Sequence, residues 1–215
     1  MEKLNIKKMS IALCGTMILA AGIFLILSET NGADPMSVFL QGVHLKTGVQ
    51  IGTINQLLNG SILLLVFLLD RSSIGIASII YVTCIGFFMN LFFAHIPYES
   101  MGGAMSIGVT ILGVILIGIG AAVYVFADYG AGAVEGLMVV LNERTGLSLT
   151  RIRMTIDLGF VVIGFLLGGV VGIGTIAGVL LVGPTIEGTL HLLKKINTRR
   201  IDNESKSDEW MGSQA

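Results

Sequence analysis

Charge is what this chain has least of. Asp, Glu, Lys and Arg make up 13% of its 215 residues, about half the density of a soluble domain. With 53% hydrophobic residues and a mean hydropathy of +0.87, that scarcity points to lipid rather than water as the solvent. A net charge of −1 leaves no basic stripe, so nothing favours nucleic acid as a partner. Cysteine is nearly absent too. Cys14 and Cys84 have no CxxC neighbour and no His or Cys at ligand spacing, which leaves them as small buried hydrophobes and supports no metal site. HExxH, GxSxG, the Walker lysine motif and the paired aspartates of intramembrane proteases are all missing. The chain therefore reads as no enzyme, and no cofactor is expected. Period-two alternation is missing as well, which excludes a membrane barrel of strands.

What the chain has in plenty is long apolar runs and 29 glycines. Runs of about 20 residues cross a bilayer as helices, and six are expected, over 9–27, 51–69, 74–94, 104–127, 154–169 and 172–193. The fifth is the weakest, because Asp157 interrupts it and Gly168-Gly169 closes it early. The first is too long for the apolar core of a cleaved signal peptide. Residues 1–193 thus form a single transmembrane domain, and the polar stretch 194–215, with Asp202, Glu204, Asp208 and Glu209, reads as a disordered cytoplasmic tail. With the N-terminus inside, Lys3, Lys7, Lys8, Arg71, Arg144, Arg151, Arg153 and the basic residues from Lys194 to Lys206 all face the cytoplasm. That is all but one of the 13 basic residues, Lys46 being the exception. Both termini are expected inside.

The glycines repeat. Gly15, Gly22, Gly32 and Gly48 recur at one constant offset as Gly113, Gly120, Gly130 and Gly146, and Ala33, Thr47 and Ile54 recur as Ala131, Thr145 and Ile152. At an offset one residue shorter, Gly75, Ile76, Ile79 and Gly86 meet Gly172, Ile173, Ile176 and Gly183. Each copy, about 9–94 and 104–193, holds three spans. An odd-span duplication in tandem inserts its copies upside down relative to each other, the plan of many secondary transporters. Each copy also holds a segment too short to span. In 35–47, Met36, Phe39, Leu40 and Val43 form one face and Ser37, Gln41 and His44 the other, with Asp34 as a cap and Pro35 as first residue. In 133–145, Val134, Leu137, Met138 and Leu141 oppose Glu135 and Asn142. Both end at Thr-Gly, a C-terminal stop. Two readings stand: a helix lying flat at the interface, or a re-entrant half-helix whose polar face borders a cavity.

Polar groups within the spans are costly and therefore informative. The second span of the first copy opens on Asn55, Gln56 and Asn59; the aligned residues of the second copy are Arg153, Met154 and Asp157. Asn55 and Asn59, like Arg153 and Asp157, are four apart and share a helix face. Arg153 and Asp157 can pair, either as a neutralised couple at the headgroups or as the wall of a cavity. Glu187, aligned with Asn90, follows Pro184 in the last span, close to Lys194. Glu135, Asp157 and Glu187 form a carboxylate set whose aligned partners, Ser37, Asn59 and Asn90, are neutral, an asymmetry suited to a proton- or cation-coupled site. Asn55, Asn59, Glu135, Arg153, Asp157 and Glu187 are the candidate binding residues. His44 and His191 read as interfacial. The Gly164–Gly168 spacing and others like it read as close helix packing.

The order of Gly32-Ala33-Asp34-Pro35, Gly42, Thr47-Gly48, Gly52-Thr53 and Gly75-Ile76 resembles the YczE/YyaS/YitT family of bacterial integral membrane proteins. The second copy is the better match, in Gly130-Ala131-Gly132, Glu135-Gly136-Leu137-Met138, Thr145-Gly146, Gly172-Ile173-Gly174-Thr175 and Gly183-Pro184. Asp34-Pro35-Met36 stands where that family has a Pro-Trp-Asp-like triplet. The resemblance implies a multi-pass protein of the bacterial inner membrane. Its family is mostly of unassigned function, with transport sometimes suggested. The expectation is an all-α membrane protein of about six spans in two inverted repeats, working as a small secondary transporter or exporter of an unknown solute or ion. The alternative is a non-transporting scaffold or regulator that binds a partner protein. The lipid bilayer is the expected neighbour, and a homodimer is compatible with so small a pathway.

Overall fold

A computed structural model of the chain describes residues 6–70, 76–127 and 132–212, the side chains at 76, 77 and 199–212 excepted. Lys3, Arg71, Gly75, Gly130 and Ala131 lie outside the described residues, as do the side chains of Arg199, Arg200, Lys206 and Trp210. Among the described residues there are eight helices and no strand: α1 (Ile6–Ser28), α2 (Pro35–Thr47), α3 (Ile51–Leu69), α4 (Ile76–His95), α5 (Gly103–Phe126), α6 (Ala133–Thr145), α7 (Leu149–Leu166) and α8 (Ile173–Gly212). Five hold stretches long and apolar enough to cross a membrane, namely α1, α3, α4, α5 and the Ile173–Thr198 part of α8. The remaining expected span corresponds to α7, whose 18 residues include Arg151, Arg153 and Asp157. Beyond that part, α8 runs on as helix to Gly212, through the stretch that composition alone marks as a tail.

The centre of the bundle is the antiparallel crossing of α1 and α5. A Cβ on Gly15 would lie 2.5 Å from the Tyr124 backbone nitrogen, and one on Gly22 would lie 2.7 Å from the Gly113 carbonyl oxygen. Small residues are the means by which helices in lipid approach until their main chains touch. Around this crossing Leu19, Ile23 and Ile26 of α1 meet Val114 and Ile117 of α5 in one buried cluster. Outside it, α4 flanks α1, where Phe24 packs edge-on against Phe93 with centroids 5.0 Å apart, and α8 flanks α5, where Gly118 faces Thr185. α3 packs on α4: the Gly52 N–H donates to Asn90 Oδ1 at 2.9 Å, and Asn90 Nδ2 donates to Thr53 Oγ1 at 3.1 Å. α2 lies against α7, with Gly164 beneath Val38 and Phe39, and α6 lies against α3, with Gly136 beneath Val66. α7 and α8 barely touch.

The two short helices end alike. Gly48 and Gly146 both adopt φ 69° and donate to His44 and Asn142 at 2.8 and 2.9 Å. His44 Nδ1 lies 2.6 Å from the Val49 carbonyl oxygen, and Asn142 Nδ2 donates to that of Leu147 at 2.7 Å, so an imidazole and an amide fill one role. Ser37, read as part of the polar face of α2, is 1% exposed, beside Val38 and Leu40 at 0%. The two-faced reading fails there because α2 has neighbours on several sides, among them α3, α7 and α8. The cysteines also depart from expectation: Cys14 is exposed and Cys84 half-buried. In a lipid solvent an apolar side chain gains nothing by turning inward, so hydrophobicity does not predict burial.

A polar cluster closes one end. Glu29, 2% exposed, follows the last residue of α1 and accepts hydrogen bonds from Tyr98 Oη, Ser100 Oγ and Ser106 Oγ, each at 2.5 Å. Ser106 lies in the first turn of α5, so the carboxylate also meets the positive end of that helix. Burial on its own would raise the Glu29 pKa, but the Ser100, Ser106, Tyr98 and Met101 donors outweigh it and hold the carboxyl below its usual range. The bond it donates to Glu29 pushes the Tyr98 hydroxyl up to about 12.

Gly120→Ala would set a methyl 2.7 Å from the Gly15 carbonyl oxygen, where only main chain can give way. We expect a loss of ~1–3 kcal/mol, seen as a lower melting temperature in detergent. Gly108→Ala, on the same helix with nothing within 4 Å, should leave it unchanged. The depressed Glu29 pKa sets the sign of an acid effect. Its stabilisation is complete above the ordinary value of 4.5 and disappears as pH falls through the lower folded value. The wild-type melting temperature should therefore drop more steeply below 4.5 than that of Glu29→Gln; parallel curves would remove Glu29 from the stability of this end.

Candidate functional site

α2 and α6 start in the interior of the bundle, where their first N–H groups lack helical partners. Asp34 caps α2, its Oδ2 accepting from the Ser37 N–H at 3.4 Å, and Glu135 lies in the first turn of α6. Between the two starts is a cavity of about 100 Å³, roughly three waters' worth of volume. All eight helices contribute to it. Leu19 and Ile23 of α1 face Ile117 and Ala121 of α5; Tyr81 and Ile85 come from α4, and Val182 and Ile186 from α8. The polar wall is shared by α3, with Asn55 and Asn59, and α7, with Arg153 and Asp157.

Five of the six residues singled out by sequence, Asn55, Asn59, Glu135, Arg153 and Asp157, therefore border one cavity. Glu187 does not. One position past Ile186, it faces away, in a surface groove with Pro184, His191 and Lys194. The two i, i+4 pairs form as their spacing implies. Asn59 Nδ2 donates to the Asn55 carbonyl oxygen at 3.0 Å and to Asn55 Oδ1 at 2.9 Å. Arg153 Nε donates to Asp157 at 3.0 and 3.2 Å, and its guanidinium lies 3.9 Å from Glu135, tying α7 to α6. The amide pair is buried, at 0% and 2% exposure. The ionic group is open, with the Arg153 and Glu135 side chains 45% and 53% exposed, so the cavity has a mouth on that side.

Among the described residues three buried polar atoms have no partner: Asp34 Oδ1 and Asn55 Nδ2, whose residues line the cavity, and Ser37 Oγ, whose residue does not. Leaving such an atom unmatched costs ~1–3 kcal/mol, so the cavity has an unmet demand for hydrogen bonds. From the sequence Asp34 reads only as a cap. A cap on a helix that begins among buried residues stands where the chain turns inside the bundle. Tyr81 and Phe160 carry no sequence signal of their own. Each is one aromatic among many, and only the fold brings them here. Among the described residues no three His, Cys, Asp or Glu side chains converge to hold a metal ion.

A family model described as a family of unknown function, DUF6198, matches residues 6–190. An uncharacterized protein of Haemophilus influenzae (strain ATCC 51907 / DSM 11121 / KW20 / Rd) is 29% identical over 191 residues, covering 88% of this chain and 86% of that protein. The uncharacterized membrane protein YczE of Bacillus subtilis (strain 168) is 31% identical over 170 residues, 79% of each chain. The uncharacterized protein YyaS of the same strain is 25% identical over 183 residues, 84% of this chain and 91% of that one. The resemblance read from the glycine motifs is thus a true kinship with YczE and YyaS. No solved structure matches.

The half-open ion pair makes a prediction. Arg153→Met should leave Asp157 and Glu135 without their cation and destabilise the protein by about 1–3 kcal/mol, between the limits for exposed and fully buried pairs. Arg153→Met with Asp157→Leu should recover most of that loss. Equal melting temperatures for the single variant and the wild type would show that the pair contributes nothing to the fold.

Proposed function

The chain belongs to the DUF6198 family, and we propose that it is a small secondary transporter or exporter of the bacterial plasma membrane, with both termini in the cytoplasm. The observation that carries this reading is the interior cavity, polar and unsatisfied, between the starts of α2 and α6. On this reading α7 is the sixth span and the short helices are re-entrant, since their first residues lie beside the middles of α1 and α5. A water-lined pocket is where membrane proteins tolerate broken helices.

Equivalent contacts support an inverted repeat. α4 on α1 has its counterpart in α8 on α5, α2 on α7 in α6 on α3, and α2 on α3 in α6 on α7. The central crossing maps onto itself, Gly15 facing Gly120 as Gly113 faces Gly22. One equivalence is broken: α3 packs on α4, whereas α7 and α8 barely touch. We read this as alternating access stopped with the Glu29 end shut and the Glu187 end open. Asn90 holds Gly52 and Thr53 in the closed half. The aligned residues, Glu187 with Thr150 and Arg151, are exposed and apart in the open one. In the opposite state Glu187 closes on Arg151, which gives it a role away from the cavity.

Paired cysteines test this in a background free of Cys14 and Cys84. Thr53→Cys with Asn90→Cys should cross-link readily. Arg151→Cys with Glu187→Cys should cross-link in only a fraction of molecules, a fraction that changes when a transported solute is added. If the second pair never forms under any condition, the two halves do not exchange and the transport reading falls in favour of a static scaffold.

A further inference from the structure

The cavity states what it wants. Three carboxylates border it, Asp34, Glu135 and Asp157, against the single guanidinium of Arg153, and Arg153 is already held by Asp157 at 3.0 Å and Glu135 at 3.9 Å. Asp34 is the one bordering carboxyl group that Arg153 does not hold. Its Oδ2 is engaged by the start of α2, and its Oδ1 has no donor. Nearby, Asn55 is fully buried, its Oδ1 taken by Asn59 and its Nδ2 without an acceptor. Water could satisfy either atom but leaves the excess negative charge unanswered. A bare metal ion answers the charge yet leaves the Asn55 N–H facing a cation, and no three ligating side chains converge on a metal among the described residues. An anion meets three carboxylates.

We propose that the cavity binds a small primary ammonium compound that also carries a hydroxyl or carbonyl oxygen. The ammonium donates to Asp34 Oδ1, a charge-assisted bond, and the rings of Tyr81 and Phe160, which line the same space, favour a cation beside them. The ligand oxygen accepts from Asn55 Nδ2. A volume of about 100 Å³ limits the ligand to a few heavy atoms. This deepens the transport reading and rests on its cavity, but binding and movement can be measured apart.

The test is a melting series of the full-length protein in detergent at fixed ionic strength. The probes are ethanolamine hydrochloride, ethylammonium chloride, ethylene glycol, sodium acetate and sodium chloride. Ethanolamine should raise the melting temperature by a few degrees, ethylammonium by less, and the other three not at all. Asp34→Asn, which keeps the cap, should abolish both shifts. Asn55→Thr should remove only the difference between the two amines, and it carries the test if Asp34→Asn yields no monodisperse protein. No shift with either amine, a shift matched by sodium chloride, or an unchanged shift in Asp34→Asn would overturn the proposal. Uptake of labelled ethanolamine into proteoliposomes then separates the two readings. Binding without uptake keeps the ligand class and removes transport; uptake of another solute without amine binding removes the class and keeps transport.

Discussion

Where α1 crosses α5 the two helices meet by their main chains, and the residues allowed at the contact are set by that closeness. Gly15, Gly22, Gly113 and Gly120 have main chain of the facing helix where a Cβ would go. In lipid no hydrophobic force presses helices together, so their attraction must come from dispersion between surfaces that fit, and the fit requires small residues. The crossing also sets what lies on either side of it. Leu19 and Ile23, and Ile117 and Ala121, are brought face to face as two walls of the cavity. α4 and α8 are hung on the outer flanks of the same pair.

The cavity follows from a second constraint. A helix that begins inside a protein exposes N–H groups where there is little water to receive them. Asp34 and Glu135 stand at those two starts, so their carboxylates are explained in part by the fold itself. What the fold leaves over is more informative than what it uses. One oxygen of Asp34 and one N–H of Asn55 remain unmatched, in a chamber whose single cation is already shared between two acids. The two polar walls divide their work, the α3 amides being buried and bonded to each other through Asn59 while the α7 ion pair stands at the mouth.

The sequence made much of this legible where the physics is local. Capping at Asp34, the left-handed stops at Gly48 and Gly146, the extent of α3 and the i, i+4 couplings all depend on residues within one or two turns. Facing was harder. Cys14 turns outward and Ser37 inward because apolar against polar is a sorting rule for water, and the medium here is lipid. Glu187 looked like a cavity residue by its alignment with Asn90. Its true surroundings depend on α8 standing off α7, which no periodicity encodes. The Glu29 cluster joins residues some 70 positions apart, Tyr98, Ser100 and Ser106. Nothing in either segment alone announces the other.

The central contact joins like to like, since Gly15 meets Gly120 in the way that Gly113 meets Gly22, and their sequence positions correspond at one offset. A patch of this kind is self-complementary, the property that defines an isologous interface between identical subunits. On the inverted-repeat reading proposed above, a three-span ancestor able to insert in either direction could have made the same contact with an inverted copy of itself, as two separate chains. Fusing the two would then have removed the need for one sequence to serve both orientations. On that reading, the carboxylates that gather in the later half are the divergence that such freedom permits.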